Sequence, residues 1–172
     1  VGTLNLYDSD FKRLKEVYRI RYVDQPGKDL VVFDPNDFRF ITWKNRLFVL
    51  DKKGFAVKIY DNDFKLVSTL ERDDYILRKI LPGDQEKMHW VFKVSLKERY
   101  KFLKHRIKFP DTFSAIRSLK IDSDTLYIIT YKKHRGNVEC FIYTPDGEFI
   151  RKTTIPLKSE NILQYYPYTI HN

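Results

Sequence analysis

The sequence predicts an all-β fold of antiparallel strands, on three observations. Apolar and polar residues alternate with a period of two over most of the chain, the pattern of half-buried strands. Short clusters of Asp, Asn, Ser, Pro and Gly separate these runs, and such residues bond their own backbone or accept left-handed conformations. One hairpin pattern also occurs three times, as LNLYDSDFKRLK at 4–15, VKIYDNDFKLVS at 57–68 and CFIYTPDGEFIR at 140–151.

In each copy a Tyr (Tyr7, Tyr60 or Tyr143) closes the first strand, a polar turn follows, and alternation resumes. The first copy falls within 1–28 and has no strand pair ahead of it. The second, within 29–72, follows a shorter pair, FRFIT at 38–42 and LFVLD at 47–51, joined by Trp43-Lys44-Asn45-Arg46. The third, within 113–158, follows AIRSLKI at 115–121 and LYIITY at 126–131, joined by Asp122-Ser123-Asp124-Thr125. Four antiparallel strands in succession, recurring, describe the blade of a β-propeller. Tyr7 and Tyr60 lie 53 positions apart and Tyr60 and Tyr143 lie 83 apart. The second interval exceeds the ~40–50 residues of a blade by roughly thirty, so 73–112 reads as an insertion.

Within the insertion the period changes. Met88, Phe92, Leu96, Tyr100, Leu103 and Ile107 are spaced 4, 4, 4, 3 and 4, which places them on one helical face. Pro82-Gly83-Asp84 supplies a turn and N-cap, basic residues fill the last turn, and Pro110 follows. The expected helix runs from about Ser95 onward. Met88–Val94 also alternates and reads equally as strand or helix. At 159–172, YYPYTIH at 165–171 reads as the inner strand of a further blade. The expected fold is therefore all-β: antiparallel four-stranded β-propeller blades, about three, in an incomplete ring with one helical insertion. Bare edge strands invite aggregation, so the chain is expected to belong to a longer protein. Leu47, Val49, Val57, Ile59, Ile116, Leu119, Ile121, Leu126, Ile128, Phe141 and Ile142 are the expected core.

The composition excludes several classes. Of 172 residues, 42% are hydrophobic and 32% charged, enough to build a core and unlike a disordered chain. One cysteine, Cys140, makes no intrachain disulfide and no cysteine-rich zinc site, and in the strand CFIY it reads as a small buried thiol. No apolar run reaches the ~18 residues of a membrane span. The first residues, VGTLNLYDSD, carry neither a basic n-region nor an apolar h-region.

The stretch FSAIRSLKIDSDTLYIITYKKHRGNVECFIYTPDGEFIRKTTIP at 113–156 resembles a blade of the bacterial six-bladed β-propeller proteins related to NHL-repeat propellers. Residues 29–70, around NRLFVLDKKGFAVKIYDNDFKLVSTL, resemble the preceding blade. The shared features are the LYIITY and LFVLD second strands, the aliphatic-Tyr end of the third, and the D-G-E-F turn into the fourth. A departure stands at 71–81, where ERDDYILRKIL replaces the Gly-rich stretch that often follows the fourth strand. The resemblance implies an exported protein, as a lipoprotein or part of a larger surface protein. It also implies an enzymatic alternative, since some such propellers are lyases or hydrolases with His and Asp lining a central channel.

Four features of the sequence bear on chemistry. His89, His105, His134 and His171 lack metal-ligand spacing. The pairs Asp8/Asp10, Asp61/Asp63 and Asp122/Asp124 lack the further oxygens and the Gly of a calcium loop, and read as solvated turns. No metal or cofactor is expected. No G-x-S-x-G, Gly-rich phosphate loop or H-E-x-x-H is present, so a catalytic role has no motif behind it. Lys97, Arg99, Lys101, Lys104, Arg106 and Lys108 against Glu98 give six minus one, or +5 of the chain's formal +9. Tyr100, Phe102 and His105 interleave with them, as a polyanion or nucleic-acid surface would require. The competing reading is the solvated face of an amphipathic helix, and no recognised nucleic-acid motif accompanies the charge. Trp90 and Tyr100 are residue types favoured at contact hot spots, although large aromatics more often pack inside. The expected function is a non-catalytic scaffold or binding module whose partner is a protein or further blades. Its candidate contacts are Trp90, Lys97, Arg99, Tyr100, Lys101, Lys104, Arg106 and Lys108.

Overall fold

A computed structural model describes residues 2–7, 12–20, 30–31, 40–51 and 54–156. The turn at 8–10, the first two residues of FRFIT, the strand at 165–171 and His171 lie outside the described residues.

Among the described residues, the alternating runs of the repeats form strands. The first copy of the repeat is the antiparallel hairpin β1 (Gly2–Tyr7) and β2 (Arg13–Ile20). The short strand β3 (Leu30–Val31) follows. Then β4 (Phe40–Trp43), β5 (Arg46–Asp51), β6 (Ala56–Tyr60) and β7 (Leu66–Glu71) form an antiparallel meander in chain order. A second meander is built from β9 (Ile116–Asp122), β10 (Thr125–His134), β11 (Asn137–Tyr143) and β12 (Phe149–Ile155). In chain order, between the strands of the two sheets, come α1 (Pro82–Leu96), α2 (Arg99–Leu103), a 3₁₀ turn (Lys104–Arg106) and β8 (Ile107–Lys108). The fold is all-β with a helical insertion, as the sequence predicts.

The helix begins earlier than predicted, which corrects the expectation of a helix from about Ser95. Met88–Val94 lies inside α1, and the helix ends at Leu96 where Lys97 turns to φ 48. Asp84 is the third helical residue and not the N-cap: its carboxylate accepts from the Leu81 N–H at 3.1 Å, satisfying one of the helix's unpaired amide donors. A second difference is β8, which pairs in parallel with β3, Leu30 opposite Ile107 and Val31 opposite Lys108.

The turns carry the twist that hairpins need. Ser123 and Asp124 join β9 to β10 with φ 45 and 60, and Arg135 and Gly136 join β10 to β11 with φ 49 and 82. Two consecutive positive φ values match the right-handed twist of paired strands. Gly147, in the β11–β12 turn, has φ 104, and a Cβ there would lie 2.7 Å from Leu70 Cδ2 of the other sheet. Glycine lets the two sheets approach at that turn.

The main core lies between the sheets. Phe48, Leu50, Val57, Ile59 and Leu70 of the first sheet pack with Ala115, Ile116, Leu119, Leu126, Ile128, Phe141 and Tyr143 of the second. Register explains the set, because Phe48 pairs with Ile59 and Leu50 with Val57, while Leu126 pairs with Tyr143 and Ile128 with Phe141. Of the eleven predicted core residues, ten are buried and Ile121 is partly buried against this cluster.

The repeat also fixes how the sheets stack. Leu47 pairs with Tyr60 as Leu126 pairs with Tyr143, so Phe48 corresponds to Tyr127, Leu50 to Ile129, Val57 to Cys140 and Ile59 to Ile142. The first sheet points Phe48, Leu50, Val57 and Ile59 at the second. The second sheet turns their counterparts away, into a separate buried cluster of Ile129, Val138, Cys140 and Ile142, with Tyr127 against it. The sheets are therefore stacked in the same sense, front to back, and the adjacent pair Phe141 and Ile142 is buried on opposite faces.

Candidate functional site

The insertion is held at a neck. Ile80 N–H donates to Asp111 O at 2.9 Å and Phe113 N–H donates to Arg78 O at 2.9 Å, so 78–80 runs against 111–113. Arg78 grips Asp84 through both carboxylate oxygens at 2.7 and 2.8 Å and lies 4.7 Å from the centre of the Phe113 ring. Both bonds come from Arg78 Nη2, and this charge-assisted, partly buried pair orients the start of α1. The inner side of α1 buries Met88 with Phe113 and Tyr131, and Ile80, Phe92 and Phe109 pack around them. Phe113 stacks on Tyr131 at 4.5 Å, which ties the insertion to β10. Beyond Lys97 the chain folds back, and the Tyr100 hydroxyl shares a 3.0 Å hydrogen bond with His89 Nδ1. Phe109 meets the same imidazole edge-on at 4.8 Å.

The outer side of α1 is apolar as well. Trp90 is 59% exposed and Val94, one turn on, is 55% exposed. Lys87 and Lys93, three residues to either side of Trp90, are exposed on the same side of the helix. Phe102 of α2 is 74% exposed.

The predicted contacts thus divide. Trp90, Lys97, Arg99, Lys101 and Lys104 are exposed, with Lys101 held by Glu98 at 2.8 Å. Lys108 is exposed on β8, and Arg106 is half-buried. Tyr100 is half-buried and engaged with His89. The cations do not share one helical face, because the break at Lys97 spreads them over α2, the 3₁₀ turn and β8. Lys87, Lys93 and Val94 join the surface and were not among the predicted contacts. The available signal was their spacing of three and four from Trp90.

A second feature lies at the turn end of the sheets. A cleft of about 640 Å³ is lined by Trp43, Lys44, Arg46, Asp61, Asp63 and Asp146 among others. Its walls are joined across the sheets. Lys44 pairs with Asp124 at 3.1 Å and lies 4.1 Å over the Trp43 ring, while Arg46 pairs with Asp146 and donates to Pro145 O at 3.1 Å. Asp61 accepts from the Lys65 N–H at 2.9 Å, so this D-x-D pair serves its own turn, as the sequence predicts. The cross-sheet role of Lys44 and Arg46 was not read from the sequence. The signal was opposite charge in turns at the same end of the two sheets, basic at 44 and 46 and acidic at 124 and 146.

Inside the fold one polar cluster closes the end of the core. Glu139 accepts from Thr130 Oγ1 at 3.0 Å and from Lys152 Nζ at 2.6 Å. Tyr75 packs its ring between Phe55 and Phe141, at 5.2 and 6.1 Å. Burial pushes the Tyr75 hydroxyl pKa well up; a hydrogen bond with Thr130 opposes this, and the Glu139 charge adds to it. These groups are mutually satisfied and hold Tyr75 in the inter-sheet core. Cys140 is fully buried, and burial pushes its thiol up to about 12. Among the described residues no three His, Cys, Asp or Glu side chains converge as a metal site, and no helix is long and apolar enough to cross a membrane.

No protein-family model matches the chain, and no curated protein matches it.

Proposed function

We propose that this chain is a non-catalytic binding module in which the stacked sheets are a scaffold and the helical insertion is the recognition surface. The observation that carries this reading is Trp90, 59% exposed at the middle of a helix whose opposite side is anchored by buried Met88. Tryptophan at the centre of an exposed patch is the side chain that contributes most on burial against a partner. A rigid frame beneath a projecting element suits recognition, since the element varies while the frame stays constant.

We read the sheets as neighbouring blades of a propeller related to the NHL-repeat propellers, within an exported or surface protein. Support for the propeller comes from the same-sense stacking, which repeats by rotation and does not close on two copies. The outward cluster at Ile129, Cys140 and Ile142 is the counterpart of the face with which the first sheet meets the second. That face is covered, since Ile129 and Cys140 have no exposed surface.

The test is a photoreactive residue at position 87, beside Trp90, in the full-length protein in its native cells. An adduct, to a macromolecule or to membrane lipid, that Trp90→Ala abolishes is expected. No adduct, or one indifferent to Trp90→Ala, overturns the reading.

A further inference from the structure

We infer that the partner of the insertion is an anionic lipid surface, an inference that rests on the insertion being the recognition element. A helix that is apolar on two opposite sides requires two apolar surroundings. Met88 and Phe92 find theirs against Phe113 and Tyr131, whereas Trp90 and Val94 face water. Around them, residues 85–108 hold six lysines and two arginines against Glu86 and Glu98, eight minus two, or +6 of the chain's +9. The matching surface is therefore apolar beneath and negative above.

The kind of cation distinguishes the classes of partner. Protein interfaces are depleted in lysine, because its strongly hydrated ammonium and flexible stem are costly to desolvate and order. Phosphate recognition in nucleic acids favours the bidentate fork of arginine, which is the minority here. At a lipid surface lysine lays its alkyl stem along the apolar layer and keeps its ammonium among the headgroups, so neither cost arises. Tryptophan concentrates at that same depth, with its ring at the headgroup level. Trp90 flanked by Lys87 and Lys93, with Val94 below and Phe102 exposed on the next helix, is the composition of an interfacial contact. The helix lies on the surface, since α1 is 15 residues long and stays docked to β10 through Met88, which is buried with Phe113 and Tyr131.

The sequence has two tryptophans, so Trp43→Phe leaves Trp90 as the single emitter. The probe is a set of vesicles of phosphatidylcholine alone or with about 30% phosphatidylserine. Expected are a blue shift of Trp90 emission and co-sedimentation with the anionic vesicles only. Binding should fall at least about tenfold in ~0.5 M salt, where the screening length is a few ångströms. Trp90→Ala and the pair Lys87→Glu, Lys93→Glu should each weaken co-sedimentation about tenfold with an unchanged circular dichroism spectrum. Co-sedimentation of the unaltered chain is read in parallel, so the test does not depend on how Trp43→Phe folds. No binding to anionic vesicles, equal binding to neutral ones, or retention on heparin or duplex DNA without vesicle binding would overturn the inference. A Trp90-dependent protein adduct at position 87 without vesicle binding overturns the lipid surface and leaves the binding module standing. Absence of both overturns both.

Discussion

Cys140 shows how one side chain reports its surroundings. Its Sγ lies in a strand between Ile129 and Val138, with no exposed surface, and sits 3.8 Å from the Phe141 carbonyl oxygen. Burial raises its pKa from 9.0 to about 12, against smaller lowering effects of the Ile128 backbone and the Arg151 charge. The folded state therefore holds the proton more tightly than the unfolded chain. That contribution is fully present below pH 9 and is lost as pH rises toward 12, on the order of a few kcal/mol, and Tyr75 acts in the same direction. A thiol reagent at pH 8 should leave the folded protein unmodified and label it completely in denaturant. Urea midpoints should fall progressively above pH 9. Rapid labelling of the folded protein would show that the second sheet's outer face is open. The thiol's burial was legible from CFIY alone, because a small residue opening a continuous apolar run belongs to a strand covered on both faces. Glu139, one position earlier, was not legible as buried. Its burial depends on Thr130, Lys152 and Tyr75, which come from three separate segments.

At the scale of the element, α1 separates stability from surface chemistry. Met88 is 2% exposed beneath the helix and Trp90 is 59% exposed above it. Met88→Ala should destabilise by about 2–4 kcal/mol, whereas Trp90→Ala should stay within about 0.5 kcal/mol, both read from urea unfolding. If Trp90→Ala costs as much as Met88→Ala, its ring is buried in solution and the proposed surface is absent. The spacing from Met88 to Ile107 announced a helix, yet only its first part forms one continuous run. Nothing in Lys97-Glu98 signals a stop, since neither Gly nor Pro is present. The stop arises because the chain turns back there to set Tyr100 against His89 and Ile107 against β3. Alternation at Met88–Val94 also allowed a strand, and burial of Met88 and Phe92 on one side decided for the helix. The basic run was legible as charge and not as a surface, because its direction depends on the break.

Across the whole molecule, the two sheets share one core and so should share one transition. Phe48 is fully buried between them and belongs to the same cluster as Leu126, Ile128 and Phe141. Phe48→Ala should cost about 3–5 kcal/mol, and amide exchange should lose protection in β9–β12 as well as in β4–β7. Loss confined to the first sheet would mean that the sheets fold independently. Lys44 and Arg46 reinforce the junction at its turn end, where each reaches an aspartate of the other sheet.

By itself the sequence determined the strands, their turns, the repeat and the place of the insertion. Each of these follows from neighbours within a few residues: the period of two, the turn chemistry and the distance between tyrosines. Tertiary structure decided what distant residues must decide together. It set the same-sense stacking that sends Ile59 inward and Ile142 outward, the neck between Arg78 and Phe113, and the burial of Glu139. It also decided that α1, already anchored on one side, turns Trp90 toward water. A hydrophobic residue's destination depends on which surfaces are left uncovered once the larger ones have met, and no local pattern carries that information.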